Sequence, residues 1–248
     1  MNAVFSNNAD YYDLIYKEKD YLRETLYFCG LLKKHESHPT KSILEFGAGS
    51  GGHQLELLKQ GFEAVGVDQS VEMCAAATRR GAQVFPGDFR TYKHHSPVDA
   101  VLALFHVVSY LTSDADLHRA FLNARENLQT GGLFLFDIWF KDAVLYLGPE
   151  MRVKRFTGET IEVVRIVEPT LHAPEEVVIV NYSDFVRKFS SSRWSRIDES
   201  HTMRYLGESE ILGLASATGF AMRQLEETLT GRPVSRDSWG VTAVLEAI

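Results

Sequence analysis

The apolar positions of this chain change their period several times, and those changes divide it into regions. Between residues 21 and 34 they fall at Leu22, Leu26, Cys29 and Leu32, spacings of three and four that predict an amphipathic helix. From Ser42 onward short, nearly unbroken apolar runs take over: Ile43-Leu44-Glu45-Phe46, Ala64-Val65-Gly66-Val67, Gln83-Val84-Phe85, Ala100-Val101-Leu102-Ala103-Leu104 and Leu133-Phe134-Leu135-Phe136. A strand that is apolar at successive positions must be covered on both faces, the situation inside a parallel sheet. Helical stretches over 54–60, 71–80 and 116–128 separate several of the runs. Strand–helix alternation with right-handed crossovers predicts an α/β, doubly wound parallel sheet.

After Asp137 the alternation stops. Residues 151–205 read mostly as strands, clearest over 161–167 and 177–182, with turn-like Thr157-Gly158 and a Pro/Glu-rich connection over 168–176. This pattern predicts an antiparallel insertion laid over the sheet after its fifth strand. A helix near 208–218, ended by Gly219, and strands near 222–225 and 240–245 complete the chain.

Composition adds exclusions. A length of 248 residues suits one α/β domain with an insertion, and a net charge of −7 weighs against a nucleic-acid partner. Cys29 and Cys74 belong to no metal-ligand spacing, and the nine histidines show none either, so no metal site is expected. The two thiols read as free and partly buried, in a reducing compartment. Neither a signal peptide nor an apolar run of the ~20 residues that span a bilayer is visible, so the chain reads as cytoplasmic, without a membrane partner.

The strongest local signal is Leu44-Glu45-Phe46-Gly47-Ala48-Gly49-Ser50-Gly51-Gly52-His53, which follows a strand and opens a helix. Glycines let the backbone turn sharply and approach a ligand, while the helix N-terminus offers free N–H groups. Gly47, Gly49 and Gly52 also satisfy the dinucleotide spacing, and Asp68 follows Gly47 by 21 positions. The turn alone therefore leaves a nicotinamide dinucleotide and S-adenosylmethionine (SAM) both open. Glu45 favours SAM: a carboxylate beside a pyrophosphate would repel it, whereas a sulfonium and an ammonium attract it. Gly87-Asp88-Phe89 offers an acid and a ring to an adenine after the third strand, and Thr130-Gly131-Gly132 reads as a turn into the fifth.

In combination, residues 42–137 resemble the class I SAM-dependent methyltransferases, with their E/D-x-G-x-G-x-G turn and their acids after the second and third strands. The resemblance implies a Rossmann-like seven-stranded sheet. It also implies that Gly47, Ala48 and Gly49 line the methionine portion of SAM, that Asp68 holds the ribose and that Asp88 with Phe89 holds the adenine. Glu45, Gln69, Leu104 and Phe105 would complete the cofactor site.

The ends of the chain are similar to a narrower group, the N,N-dimethyltransferases of nucleotide-linked amino sugars in antibiotic biosynthesis. The segment Asp10-Tyr11-Tyr12-Asp13-Leu14-Ile15-Tyr16 resembles that group's lid, which implies that Tyr12 and Tyr16 cover the cofactor. Leu104-Phe105-His106-Val107-Val108-Ser109-Tyr110 matches the stretch running past the transferred methyl, with Tyr110 where the group places an active-site His or Tyr. Asp137-Ile138-Trp139-Phe140 and Glu199-Ser200-His201-Thr202-Met203-Arg204 resemble its substrate-facing segments. Tyr110, His106 and His201 are thus the expected catalytic residues, and Trp139, Glu199 and Arg204 the expected substrate contacts. Arg193, Trp194 and Arg196 could meet a diphosphate. The chain departs from the group before its last strand, where Gly231-Arg232-Pro233 to Trp239-Gly240 carries fewer glycines and a tryptophan.

The expected organisation is one methyltransferase domain over 1–248: an N-terminal helical lid over 1–40, a SAM-binding core over 41–140, a substrate-binding insertion over 150–205 and the end of the core sheet over 206–248. The expected partner is a small molecule, and a homodimer is allowed. Residue chemistry alone leaves an amine or a hydroxyl acceptor, an NAD(P)-dependent oxidoreductase and a non-catalytic SAM-binding regulator as alternatives. It also leaves His106 and Trp139 as simple core residues, and Arg196 and Arg204 as surface ones.

Overall fold

The computed structural model describes residues 14–15, 19–191 and 193–248. Tyr12 and Tyr16, expected to cover the cofactor, lie outside the described residues.

Five parallel strands form the centre: β1 (Ser42–Phe46), β2 (Glu63–Asp68), β3 (Val84–Pro86), β4 (Val98–Ala103) and β5 (Leu128–Trp139). With β10 (Phe220–Glu227) and β11 (Gly240–Ala247) they make a seven-stranded sheet in the order β3-β2-β1-β4-β5-β11-β10. The last two strands run antiparallel to their neighbours. Alternate residues of one strand enter opposite cores, which is why the apolar runs are continuous. Leu44, Val101 and Ala103 pack on one face with Phe121, Phe134 and Phe136. Ile43, Ala100 and Leu102 pack on the other with Phe28, Leu31 and Leu32.

Helices α1 (Tyr21–His35), α2 (Gly52–Lys59), α3 (Val71–Arg79) and α4 (Asp114–Asn127) connect and cover these strands. Side-chain caps set three of their starts. Asp20 accepts the Arg23 N–H, Ser70 the Met73 N–H and Ser113 the Asp116 N–H, so α4 begins two residues before its apolar pattern does. The buried face of α1 keeps Leu32 of the expected stripe, with Cys29 half-buried against the core, but departs from it elsewhere. Leu22 and Leu26 are 46% and 48% exposed, while Thr25, Phe28, Leu31 and Leu32 turn inward. The reason is tertiary: Phe28 and the Leu31-Leu32 pair fill the groove over β1, β4 and β5, and four inward residues outweigh two isolated leucines. Gly131-Gly132 also differs from expectation, lying within β5 at a register irregularity against β4 instead of forming a turn that precedes the strand.

After β5 comes α5 (Lys141–Leu147), then a second sheet of β6 (Arg152–Thr157), β7 (Ile161–His172), β8 (Val177–Lys188) and β9 (Ser195–Arg204), ordered β6-β7-β8-β9 and antiparallel throughout. Val178, Val180, Met203 and Tyr205 fasten it to α5 through Val144. Helix α6 (Glu208–Ala217) then leads back into β10.

Candidate active site

In an open sheet of this order, the crossovers from β1 leave in opposite directions, and ligands bind at the carboxyl ends of the strands where that reversal falls. A cleft of about 2210 Å³ opens there, bounded by the glycine turn, the segment after β4 and the inner face of the insertion. Ligand pockets usually measure roughly 300–1,000 Å³, so this one has room for two ligands side by side.

At the turn, Gly47 and Gly49 adopt φ of +64° and +55°. A Cβ at Gly47 would stand 2.6 Å from both Cγ atoms of Val107, so the turn is in contact with the segment after β4. Asp68 ends β2 with one carboxylate oxygen accepting the Gly49 N–H at 2.8 Å and the other the Ser70 N–H at 2.9 Å. Burial raises its pKa, and these two N–H donors oppose the shift. Gly47, Ala48, Gly49, Asp68 and Gln69 all line the cleft.

Glu45 lies beneath the turn, 1% exposed, with Oε1 3.4 Å from His53 Nδ1. On its other side His53 Nε2 is 2.7 Å from Glu24, which also holds Lys19 at 2.8 Å. Burial would lower the pKa of His53, but hydrogen bonds to Glu24 and Glu45 outweigh it and raise it. The Lys19 ammonium is 3.4 Å above the centre of the Phe105 ring, with its pKa lowered by burial against the pull of Glu24, Asp137 and Glu45.

The structure separates Asp88 from Phe89. Phe89 reaches the cleft and stacks on Phe46 at 5.5 Å. Asp88 instead takes the Arg90 guanidinium at 2.9 Å, and Arg90 continues to Asp116 at 2.8 Å. Burial would raise the Asp88 pKa, yet bonds from Arg90 and Gln69 lower it. Arg90 is thus a cleft residue that sequence reading did not single out.

Leu104, Phe105, His106 and Tyr110 line the next part of the cleft. Phe105 and His106 have φ of +67° and +61°, two consecutive left-handed residues that are not glycine. His106 Nδ1 stands 2.9 Å from Asp137 Oδ2, and its backbone N–H faces both Asp137 oxygens at 3.2 and 3.3 Å. Asp137 is buried, which would raise its pKa, but His106 and then Lys19 lower it. Opposite, Tyr110 and His201 meet with the hydroxyl 2.7 Å from Nδ1, and His201 Nε2 is 3.6 Å from Glu199. Tyr182 packs edge-on against His201, and Arg165 covers Tyr182 while forming a two-pronged pair with Asp184 at 2.7 and 2.6 Å.

Trp139 lines the cleft and meets Trp239 at 5.7 Å, so the tryptophan that departs from the resemblance is itself a cleft residue. Arg204 is placed elsewhere. It sits 2.7 Å from Asp114, with Glu176 and Glu210 at 3.6 and 3.7 Å, tying β9 to the starts of α4 and α6. Arg196 pairs with Asp198 on the insertion surface, and Trp194 is exposed there beneath Arg187. Arg152, Lys154 and Arg155 are exposed cations of the cleft lining, with Arg155 paired to Glu162 at 2.9 Å, and Arg165 is a buried one. Among the described residues there is no group of His, Cys, Asp or Glu that could hold a metal ion.

These features fit SAM: a nucleotide-type turn with an acid after β2 and a ring for adenine; Glu45, expected in the cofactor site, and Asp137 lie behind the cleft lining, facing His53 and His106. A glycine turn stands at the switch point of the parallel sheet, and the antiparallel sheet caps the cleft above it. Residues 43–132 match the family model described as a methyltransferase domain. The chain is 28% identical over 138 residues to dTDP-3-amino-3,4,6-trideoxy-α-D-glucopyranose N,N-dimethyltransferase of Streptomyces venezuelae, a stretch covering 54% of this chain and 58% of that protein. The chain thus matches little more than half the length of that curated relative. The crystal structure of DesVI from Streptomyces venezuelae superposes with a TM-score of 0.84 at 21% identity, over 98% of this chain and 99% of that one. That of SAM-bound CalS10, an amino pentose methyltransferase from Micromonospora echinaspora, gives 0.77 at 20% identity, over 94% and 93%. Residues 43–132 thus match a methyltransferase domain, the matched stretch resembles a nucleotide-linked amino-sugar N,N-dimethyltransferase in sequence, and the whole chain shares the fold of DesVI and CalS10.

Proposed function

We propose that this protein transfers a methyl group from SAM to the amino group of a small molecule, an amino sugar carried on a nucleotide. The observation that carries the reading is one cleft lined both by the glycine turn with Asp68 and by Tyr110, from the segment after β4, paired with His201 of the insertion. Bound SAM supplies an electrophilic methyl group already activated by its sulfonium. The chain then has to bind, align and dry the reacting pair. Asp68 would accept the ribose hydroxyls, Phe89 would cover the adenine and Glu45 would balance positive charge under the turn. Trp139, from the end of β5, would pack on the acceptor.

Tyr110 would position the acceptor nitrogen through its hydroxyl. His201, held between Tyr110 and Glu199, would fix the direction of that hydroxyl. The described residues of 1–40, with those of the insertion over 150–205, would close over the two ligands; the enzyme would be cytoplasmic and could work as a homodimer. The likeness in sequence and fold to proteins named for nucleotide-linked amino sugars supports this acceptor class, as do the exposed cations of the cleft lining. Calorimetry should show micromolar SAM binding that weakens at least tenfold in Asp68→Ala, and the protein should methylate a dTDP-linked 3-amino sugar. Tighter binding of NAD⁺ or NADP⁺ than of SAM would overturn the reading.

A further inference from the structure

We infer that His106, oriented by Asp137, is the base that removes the proton from the acceptor amine, a role that rests on the acceptor class proposed above. Three independent features place it there. First, the chain holds Phe105 and His106 in the left-handed region, which is unfavourable for residues with a Cβ. Strain of this kind persists only where the surroundings impose it, and here the backbone N–H of His106 is fixed on the Asp137 carboxylate. Second, Nδ1 is buried with Asp137 Oδ2 as a charged neighbour at 2.9 Å, although the pair falls short of regular hydrogen-bond geometry, while the ring as a whole lines the cleft. An acid at Nδ1 puts the imidazole proton on that atom and leaves the Nε2 lone pair for the cleft. Third, Asp137 is the acid that ends the inner face of β5, and its buried charge needs a cation nearby.

The step balances simply. The N–H bond of the acceptor ammonium breaks, its electron pair stays on nitrogen, and the proton passes to His106 Nε2. The resulting imidazolium is neutralised by Asp137 at 2.9 Å. The neutral amine then has the lone pair that methyl transfer requires, and the proton returns to water through the open cleft before another round. The titratable groups around this corner are Asp137 of β5, Glu45 of β1 and Lys19, whose ammonium both carboxylates attract, with Tyr110 and His201 further along the cleft. Phe105, Trp139 and the backbone at Gly240 form the apolar remainder.

His106→Asn is the informative variant. Asparagine tolerates the left-handed backbone better than other non-glycine residues, and its amide N–H can still donate to Asp137, but it has no basic nitrogen. We expect it to melt within a few degrees of the parent and to bind SAM within about threefold. Methylation of a dTDP-linked 3-amino sugar should fall by about 10²–10⁴-fold at pH 7. The deficit should shrink about tenfold per pH unit as the free amine loses its own proton. A loss that is the same at every pH, or no loss, overturns the proposal. A second readout needs neither cofactor nor acceptor: ¹⁵N spectra of histidine-labelled protein should show His106 as the Nδ1–H tautomer. In Asp137→Asn the new amide donates to Nδ1 and should convert the ring to Nε2–H, with a fall in methylation similar to that of His106→Asn. An Nε2–H tautomer in the parent protein overturns the proposal. If the parent methylates no amine at all, the acceptor reading fails, and the tautomer still decides whether Nε2 can take a proton.

Discussion

Replacing Gly47 by alanine should uncouple the glycine turn from the segment after β4, and the cost can be worked from the contacts. The residue has φ of +64°, where an L side chain costs roughly 1–2 kcal/mol. Its new Cβ would stand 2.6 Å from Cγ1 and Cγ2 of Val107, a side chain set between His106 and the start of the following 3₁₀ turn, with no flexible end to swing away. Overpacking of that kind adds about 1–3 kcal/mol, for a total of roughly 2–5 kcal/mol. For a domain of this size that corresponds to a fall in melting temperature on the order of 10 °C. The decisive assay is a double-mutant cycle with Val107→Ala, followed by thermal unfolding and SAM calorimetry. Trimming Val107 removes the clash but not the backbone strain, so the double variant should recover about 1–3 kcal/mol relative to additivity. Additive losses would refute the idea that the turn and the segment after β4 are packed as one unit.

Other parts of the structure yield expectations of the same kind. Asp184→Ala leaves Arg165, only 7% exposed, without its two-pronged partner, and urea unfolding should show a loss of about 3–5 kcal/mol. The double variant Arg165→Met with Asp184→Leu should recover most of it; equal losses would mean that the charge pair is not the source. Asp88 has a lowered pKa, so its pairing with Arg90 contributes stability above the unfolded carboxyl pKa of about 3.9 and loses it as pH falls further. Urea midpoints of Asp88→Asn and the parent should therefore differ at pH 6, and the gap should narrow as pH falls below the unfolded carboxyl value; a constant gap would argue for a packing effect instead. Burial pushes both the Cys29 and the Cys74 thiols up to about 11. Alkylation by iodoacetamide at pH 8 should be on the order of 10²-fold slower than that of an unfolded cysteine, and fast labelling of either would contradict it.

The fold was legible wherever the signal is local or repeats along one strand. Near-continuous apolar runs announce strands covered on both faces, and the switch to long β-rich stretches after Asp137 marks the insertion. The face of α1 was not legible, because Leu22 and Leu26 satisfy the helical period as well as Phe28 and Leu31 do. Only the groove above β1, β4 and β5 decides between them, and that groove is made by residues far along the chain. Gly131-Gly132 misleads for a related reason. A glycine pair is equally compatible with a turn and with an irregularity inside a strand, and pairing with β4 chooses the latter.

The cofactor end of the site shows the same division at closer range. The turn from Glu45 to Gly52 and the acid after β2 can be read because a backbone conformation is encoded in consecutive residues, and Asp68 is one strand away from them. The pairings that give side chains their chemistry span much more of the chain: His106 with Asp137 across 31 positions and Tyr110 with His201 across 91. No spacing rule links such residues, since β4, β5 and β9 bring them together only once the sheets have formed. The misplaced arginines make the converse point. Arg196 and Arg204 have the residue type that a diphosphate requires, but carboxylates nearby claim both. A cation's availability depends on which acids the fold sets beside it, and that is a property of the packed sheets, not of the residue.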